Sequence, residues 1–161
     1  MSGVSGFKDV LSRWASGVSV VTTNDDGMLY GITVSSFASV SLDPPLVLVC
    51  VANQNRIVSM IGAANGFAVS LLASDQQAAS SYFARPGRLP TTDFTEIEGQ
   101  WTPSGLPVIA NALAWVTCTL HASIPQGDHT ILVGQVGDTY VAAPDRRPLV
   151  YWSRAYRALS D

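Results

Sequence analysis

The chain carries few side chains able to do acid–base, nucleophilic or metal chemistry. His121 and His129 are its only histidines, so a multi-histidine metal centre is excluded by count. Cys50 and Cys118 lie far apart inside apolar, strand-like patterns with no CxxC spacing, and read as two buried thiols. There is no nucleophile elbow, no HExxH, no Walker loop and no GxGxxG. The stretch from Gly31 to Val51, GITVSSFASVSLDPPLVLVCV, offers something else. Thr33, Ser35, Ser36, Ser39 and Ser41 place hydroxyls in a polar, uncharged segment flanked by apolar runs. Such a segment can press backbone N–H groups and hydroxyls against a flat polar ligand. It can equally be a serine-rich turn in a β-barrel. Further on, Asn55 and Arg56 stand at the start of a short helical pattern, where free N–H groups and the helix dipole favour an anion. His129 follows Gly127-Asp128 and reads from spacing alone as a polar residue beside a hairpin turn.

These residues need elements to hold them. Phe7, Val10, Leu11, Trp14 and Ala15 fall on one face at helical spacing, with Ser5 as cap and Gly17 as stop. Val18 to Thr23 reads as a strand, Asn24-Asp25-Asp26-Gly27 as a turn, and Met28 to Ser35 as the returning arm. After the Asp43-Pro44-Pro45 turn, Leu46 to Val51 is a short continuous apolar run, as for a strand buried on both faces. Ile57, Met60, Ile61 and Ala64 mark a short helix that Asn55 caps and Asn65-Gly66 ends. Phe67 to Leu72 is a further strand. Ser74-Asp75-Gln76-Gln77 has the form of a capping box opening a helix through Phe83, stopped by Pro86. Gly87 to Gly105 is a long excursion with one helical turn expected around Asp93 to Ile97. From Ala112 a strand runs to the Gln126-Gly127-Asp128 turn and returns from His129 to Val141. Pro148 to Trp152 is the last strand, and Tyr156 to Leu159 closes the chain. Many strands, hairpin connections and few short helices predict a mainly β fold: a small barrel with helices packed on it.

The 161 residues suggest a single domain, 1–161, with room for a core. Hydrophobic residues make up 47% and charged ones 13%, which leaves an apolar surface suited to a subunit contact. A net charge of -3 argues against a nucleic-acid partner held through phosphates. No apolar run is long enough to span a bilayer, so no membrane partner is expected. The N-terminal MSGVSGFKDVLSRW lacks a signal-peptide layout, and the expectation is a cytoplasmic protein.

The lack of an acid–base constellation suits reactions that need two cofactors placed face to face. Hydride transfer from a nicotinamide to a flavin is one. Six motifs appear in order: Gly31-Ile-Thr-Val-Ser-Ser-Phe, Ser41-Leu-Asp-Pro-Pro-Leu-Val, Asn53 before a short helix, Phe67-Ala-Val-Ser-Leu-Leu, Gly127-Asp-His129 and Pro148-Leu-Val-Tyr151. From about Phe7 to Leu159 the chain thereby resembles the flavin reductase-like family of FMN-binding split β-barrels, which feed reduced flavin to two-component monooxygenases. The resemblance implies that Thr33, Ser35, Ser36 and Phe37 hold the isoalloxazine ring. It implies that Ala52, Asn53, Asn55 and Arg56 receive the ribityl chain and phosphate. Phe83 and Arg85 would lie on the phosphate side, and Tyr156 near the flavin. Gly127, Asp128 and His129 would contact the nicotinamide, with His129 as the catalytic-site residue.

The resemblance further implies a homodimer, NADH or NADPH as hydride donor, and a flavin-dependent monooxygenase partner served by diffusing reduced flavin. Many relatives carry serines and a threonine after the Asn53 position, where this chain has Asn55, Arg56 and Val58. A guanidinium there can replace hydroxyl contacts or favour a flavin with two phosphates, so FMN and FAD both stay open. No arginine pair is evident for a nicotinamide 2′-phosphate, which favours NADH. The rival readings are a pyridoxamine-phosphate-oxidase-like flavin enzyme on the same fold and a non-catalytic flavin carrier.

Overall fold

A computed structural model describes residues 3–159 except Thr95. In chain order the elements are α1 (Val4–Ser12), β1 (Ser16–Gly17), β2 (Ser19–Asp25), β3 (Met28–Val34), β4 (Ala38–Leu42), β5 (Pro45–Ala52), α2 (Ile57–Ala64), β6 (Gly66–Leu71), α3 (Gln77–Phe83), β7 (Gly99–Trp101), β8 (Pro107–Ile109), β9 (Ala114–Gln126), β10 (His129–Val141), β11 (Leu149–Trp152) and β12 (Ala155–Ala158). Seven strands form one antiparallel sheet in the order β3-β2-β6-β9-β10-β5-β4. The sheet curls until β3 approaches β5. Tyr30, Ile32 and Val34 of β3 share one core with Val47, Val49 and Val51 of β5, and with Phe67, Val69 and Leu132. No backbone ladder joins β3 to β5, so the barrel is split along this line. Ser36 bridges the split. Its hydroxyl donates to the Cys50 carbonyl at 2.9 Å and accepts from the Cys50 N–H at 3.0 Å.

Helix α2 closes the barrel by burying Ile57, Met60 and Ile61. Its start is fastened by Asn55, whose side-chain oxygen accepts from the Ile57 N–H at 3.1 Å. Asn65 ends it in the left-handed conformation, φ 54°. Two glycines make room for aromatic rings. A Cβ on Gly134 would lie 2.6 Å from Phe67 Cζ, and one on Gly31 would lie 2.9 Å from Phe83 Cε1. The second approach lets α3 pack directly on β3.

A smaller core of Val18, Val20, Leu72, Ala79, Phe83, Ile109 and Leu149 lies between the outer barrel wall, α3 and the C-terminal sheet β1-β11-β12. That sheet is tied on through the Val18 N–H to the Leu149 carbonyl at 3.0 Å and the Leu149 N–H to the Leu72 carbonyl at 2.9 Å. Helix α1 is tied to the β11–β12 hairpin by polar contacts. The Trp152 indole donates to the Arg13 carbonyl at 3.2 Å, and Arg154 pairs with Asp9 at 2.6 Å. None of its residues is buried, and its apolar face stays open: Phe7 and Val10 are 62% and 69% exposed, and Trp14, just past the helix end, is 76% exposed.

Several local expectations are corrected. α1 starts at Val4 after Gly3 with no side-chain cap, so Ser5 lies inside it, and it ends at Ser12 rather than near Gly17. β5 is not buried on both faces: Val47, Val49 and Val51 are buried, while Leu46, Leu48 and Cys50 are half-buried. One face fills the barrel and the other lies partly open. The capping box at Ser74 does not form. Gln76 instead accepts from the Ala73 N–H, three residues back, at 3.0 Å and donates to the Ala110 carbonyl at 2.8 Å, so one local and one tertiary bond stand in place of the expected pair. Around Asp93 to Ile97 there are bends and no helical turn, with Thr95 outside the described residues. The excursion instead pairs with the barrel, through reciprocal bonds between Leu29 and Thr91, and makes the β7–β8 hairpin.

Candidate active site

The split opens into a cleft of about 890 Å³. One wall is β3 and the loop after it: Tyr30, Ile32, Thr33, Val34, Ser35 and Ser36. The opposite wall is the end of β5 and the turn into α2: Cys50, Val51, Ala52, Gln54, Asn55 and Arg56. The end of α3 and the following loop, Phe83 to Arg88, form the third side, with Leu11 and His129 at the edges. The floor is apolar and aromatic, and hydroxyls and cations stand at the rim. Three arginines line the cleft and no carboxylate does, in a chain of net charge -3. The cleft is therefore a local positive site suited to an anionic ligand with a flat apolar body.

Of the fourteen residues expected from sequence, the cleft brings together Thr33, Ser35, Ser36, Ala52, Asn55, Arg56, Phe83, Arg85 and His129. Their side chains are not equally available. The Ser35 hydroxyl is exposed on the wall and makes no hydrogen bond among the described residues. The Thr33 hydroxyl donates to the Ser80 carbonyl at 2.7 Å and ties β3 to α3. Ser36 already makes both bonds to Cys50, so it can offer a ligand little beyond its backbone. At the start of α2, Asn55 takes the Ile57 N–H through its side chain and the Val58 N–H through its carbonyl. The helix start thus offers an anion fewer free donors than its sequence suggests, and Arg56 carries the charge. Arg85 lies exposed over the Tyr82 ring, 5.6 Å from its centroid.

Five expected residues do not line the cleft. Phe37 packs against the barrel core instead. Asn53, Gly127 and Asp128 lie where the β9–β10 turn meets the β5–α2 turn, with His129 paired to Ala52 across the ladder. Tyr156 lines an adjoining hollow of about 190 Å³ with Tyr151 and Ser80. Its hydroxyl is 2.8 Å from Ser80 Oγ. The hollow shares Thr33, Val34, Ser35 and Ala84 with the cleft, so Tyr156 is a neighbour of the site and not part of its wall.

His129 Nδ1 lies 2.7 Å from Asp128 Oδ1. The hydrogen bond and charge of His129 hold the Asp128 carboxyl below its usual range. Burial pushes the Cys118 thiol up to about 12, which leaves it inert as a nucleophile at neutral pH.

Tyr30, Gln54, Leu11 and Arg88 also line the cleft and were not among the fourteen residues expected there. Arg88 donates to the Gly31 carbonyl at 2.8 Å, and its guanidinium lies 4.4 Å from the Tyr82 centroid and 4.7 Å from the Phe83 centroid. Its Nε is buried and has no hydrogen-bond partner among the described residues. This arginine is engaged in holding the aromatic floor. Only the fold brings Tyr30 and Tyr82 to it, and no local pattern announces that.

Fold and cleft together define a split-barrel protein with a cleft beside the split suited to a flat, anionic ligand. Comparison with known proteins narrows the class. The flavin reductase like domain family matches residues 11–160. An NADH-dependent flavin reductase of Rhodococcus sp is 37% identical over 156 residues, covering 95% of this chain and 85% of that protein. The reductase component of 4-hydroxyphenylacetate 3-monooxygenase from Thermus thermophilus is 39% identical over 153 residues, covering 95% of each. The crystal structure of the flavin reductase component of a bacterial two-component tryptophan halogenase superposes with a TM-score of 0.90 at 36% identity, covering 98% of both chains. The chain belongs to the flavin reductase-like family.

Proposed function

We propose that this protein is an NADH-dependent flavin reductase that reduces FMN or FAD and supplies the product to a separate flavin-dependent monooxygenase. The observation that carries this reading is the cleft itself, where the Ser35 wall, three arginines and His129 converge with no carboxylate among the lining residues. These residues fit a flavin. Tyr30, Ile32 and Phe83 give an apolar bed for a ring system, Ser35 a free hydroxyl beside it, and Arg56 and Arg85 cations for a phosphate.

The two cofactors supply the hydride donor and acceptor between them. The chain's task is to bind and orient. Arg56 would neutralise phosphate charge, and the Ser35–Ser36 stretch would supply polar contacts to the ring. His129, at the cleft edge, holds the nicotinamide in register by packing or a hydrogen bond. It moves no proton in this scheme. Its ring is oriented by Asp128, 2.7 Å away. Bringing two bound reactants into register removes much of the entropic barrier to their reaction.

The chain acts as one domain and as a homodimer, a reading supported by the open apolar face of α1. No helix among the described residues is long and apolar enough to cross a membrane, and we place the protein in the cytoplasm.

The test is NADH and NADPH oxidation followed with added FMN and FAD. NADH consumption that requires flavin is expected. Tight flavin binding with no nicotinamide oxidation would instead identify a carrier and remove the reductase reading.

A further inference from the structure

The resemblance assigns Asn53 to the flavin, yet its side chain is engaged elsewhere. Its amide N–H donates to the Gly127 carbonyl at 3.0 Å, and its side-chain oxygen accepts from the Thr130 hydroxyl at 2.8 Å. Its backbone N–H donates to the Asp128 carbonyl at 2.9 Å. Asn53 thus grips the residues on both sides of His129, from a position outside the cleft lining. His129 itself pairs with Ala52 in the β5–β10 ladder. The hairpin tip that carries His129 and the turn that carries Asn55 and Arg56 are therefore one unit.

We propose that Asn53 is a positioning residue for the nicotinamide and acts through His129 without contacting either cofactor. The inference rests on the reading that His129 meets the nicotinamide. The chemistry needs such a device. Gly127 at the hairpin tip is in the left-handed conformation, φ 61°, and Asp128 and His129 are both exposed. The buried anchor beside the tip is Thr130, which Asn53 itself holds. The bond to Gly127 is exposed and contributes little to global stability because water competes for both partners, whereas the bond to Thr130 is partly buried. Together they select one local arrangement of the tip. Loss of Asn53 should therefore affect the reaction with NADH more than folding.

The experiment is a double-mutant cycle of Asn53→Ala and His129→Ala in the intact protein, read by NADH kinetics, flavin titration and thermal unfolding. Asn53→Ala alone should raise KM for NADH and lower kcat/KM by about tenfold, with flavin affinity within about twofold of wild type. In the His129→Ala background the same change should add less than about twofold. Thr130→Val, which removes one of the two side-chain bonds and leaves Asn53 in place, should give a smaller loss of the same kind. Additive losses in the cycle, or a fall in flavin affinity as large as the fall in kcat/KM, would overturn the proposal and leave the role of His129 standing. Wild-type NADH kinetics in His129→Ala would remove both readings at once.

Discussion

Replacing Arg56 with alanine tests where the flavin phosphate is held. Arg56 is exposed at the start of α2 on the cleft wall, and its guanidinium makes no ion pair among the described residues. The Ile57 and Val58 N–H groups beside it are both bonded to Asn55, so the guanidinium is the main charge free to meet a phosphate here. A hydrogen bond to a charged group is worth about 1.5–3 kcal/mol. Exposure lowers this toward the ~1 kcal/mol of surface ion pairs. An intermediate value of about 1–2 kcal/mol raises the flavin Kd roughly 5- to 30-fold. The difference between wild type and variant should shrink with added salt, because a surface charge is screened over roughly 8–10 Å. Flavin titration at low and high ionic strength measures both effects. Single-turnover reduction at saturating flavin should be nearly unchanged, since Arg56 binds the non-reacting end. Unchanged flavin affinity at low salt would refute the assignment. Arg85 would then be the remaining exposed arginine of the cleft, because Arg88 is already stacked on the aromatic floor.

Ser36→Ala removes both bonds that bridge the split and leaves the Cys50 N–H and carbonyl without that partner. It should cost about 1–3 kcal/mol in chemical denaturation, and an unshifted midpoint would mean that the bridge is not needed for closure. The open face of α1 predicts a dimer in light scattering at micromolar concentration. Trp14→Asp should shift that equilibrium toward single chains without unfolding them, because the side chain is 76% exposed within one chain. A wild-type protein with only the mass of one chain would rule out the dimer.

The amino-acid sequence alone determined the main hairpins, the helices α2 and α3 and the class of chemistry, but not the short strands β1, β4, β7, β8 and β12. Alternation in β9, the hairpin signals at Asp26-Gly27 and Gly127-Asp128, and Asn65 after α2 are local effects, so they were legible without the fold. The scarcity of histidines and the missing catalytic motifs likewise pointed to a cofactor-borne reaction. Tertiary structure decided which polar groups are free. Ser36, Thr33 and Asn53 read as ligand contacts because their types suit one, yet each spends hydrogen-bonding capacity on a strand, a helix or a hairpin distant in sequence. Gln76 likewise spends its amide N–H on the Ala110 carbonyl, distant in sequence. A buried or strained polar group must be satisfied by whatever the fold brings near, and that partner is not written beside it in the chain. Arg88 is the clearest case, since Tyr30, Tyr82 and Phe83 surround its guanidinium only after β3 and α3 have packed across Gly31.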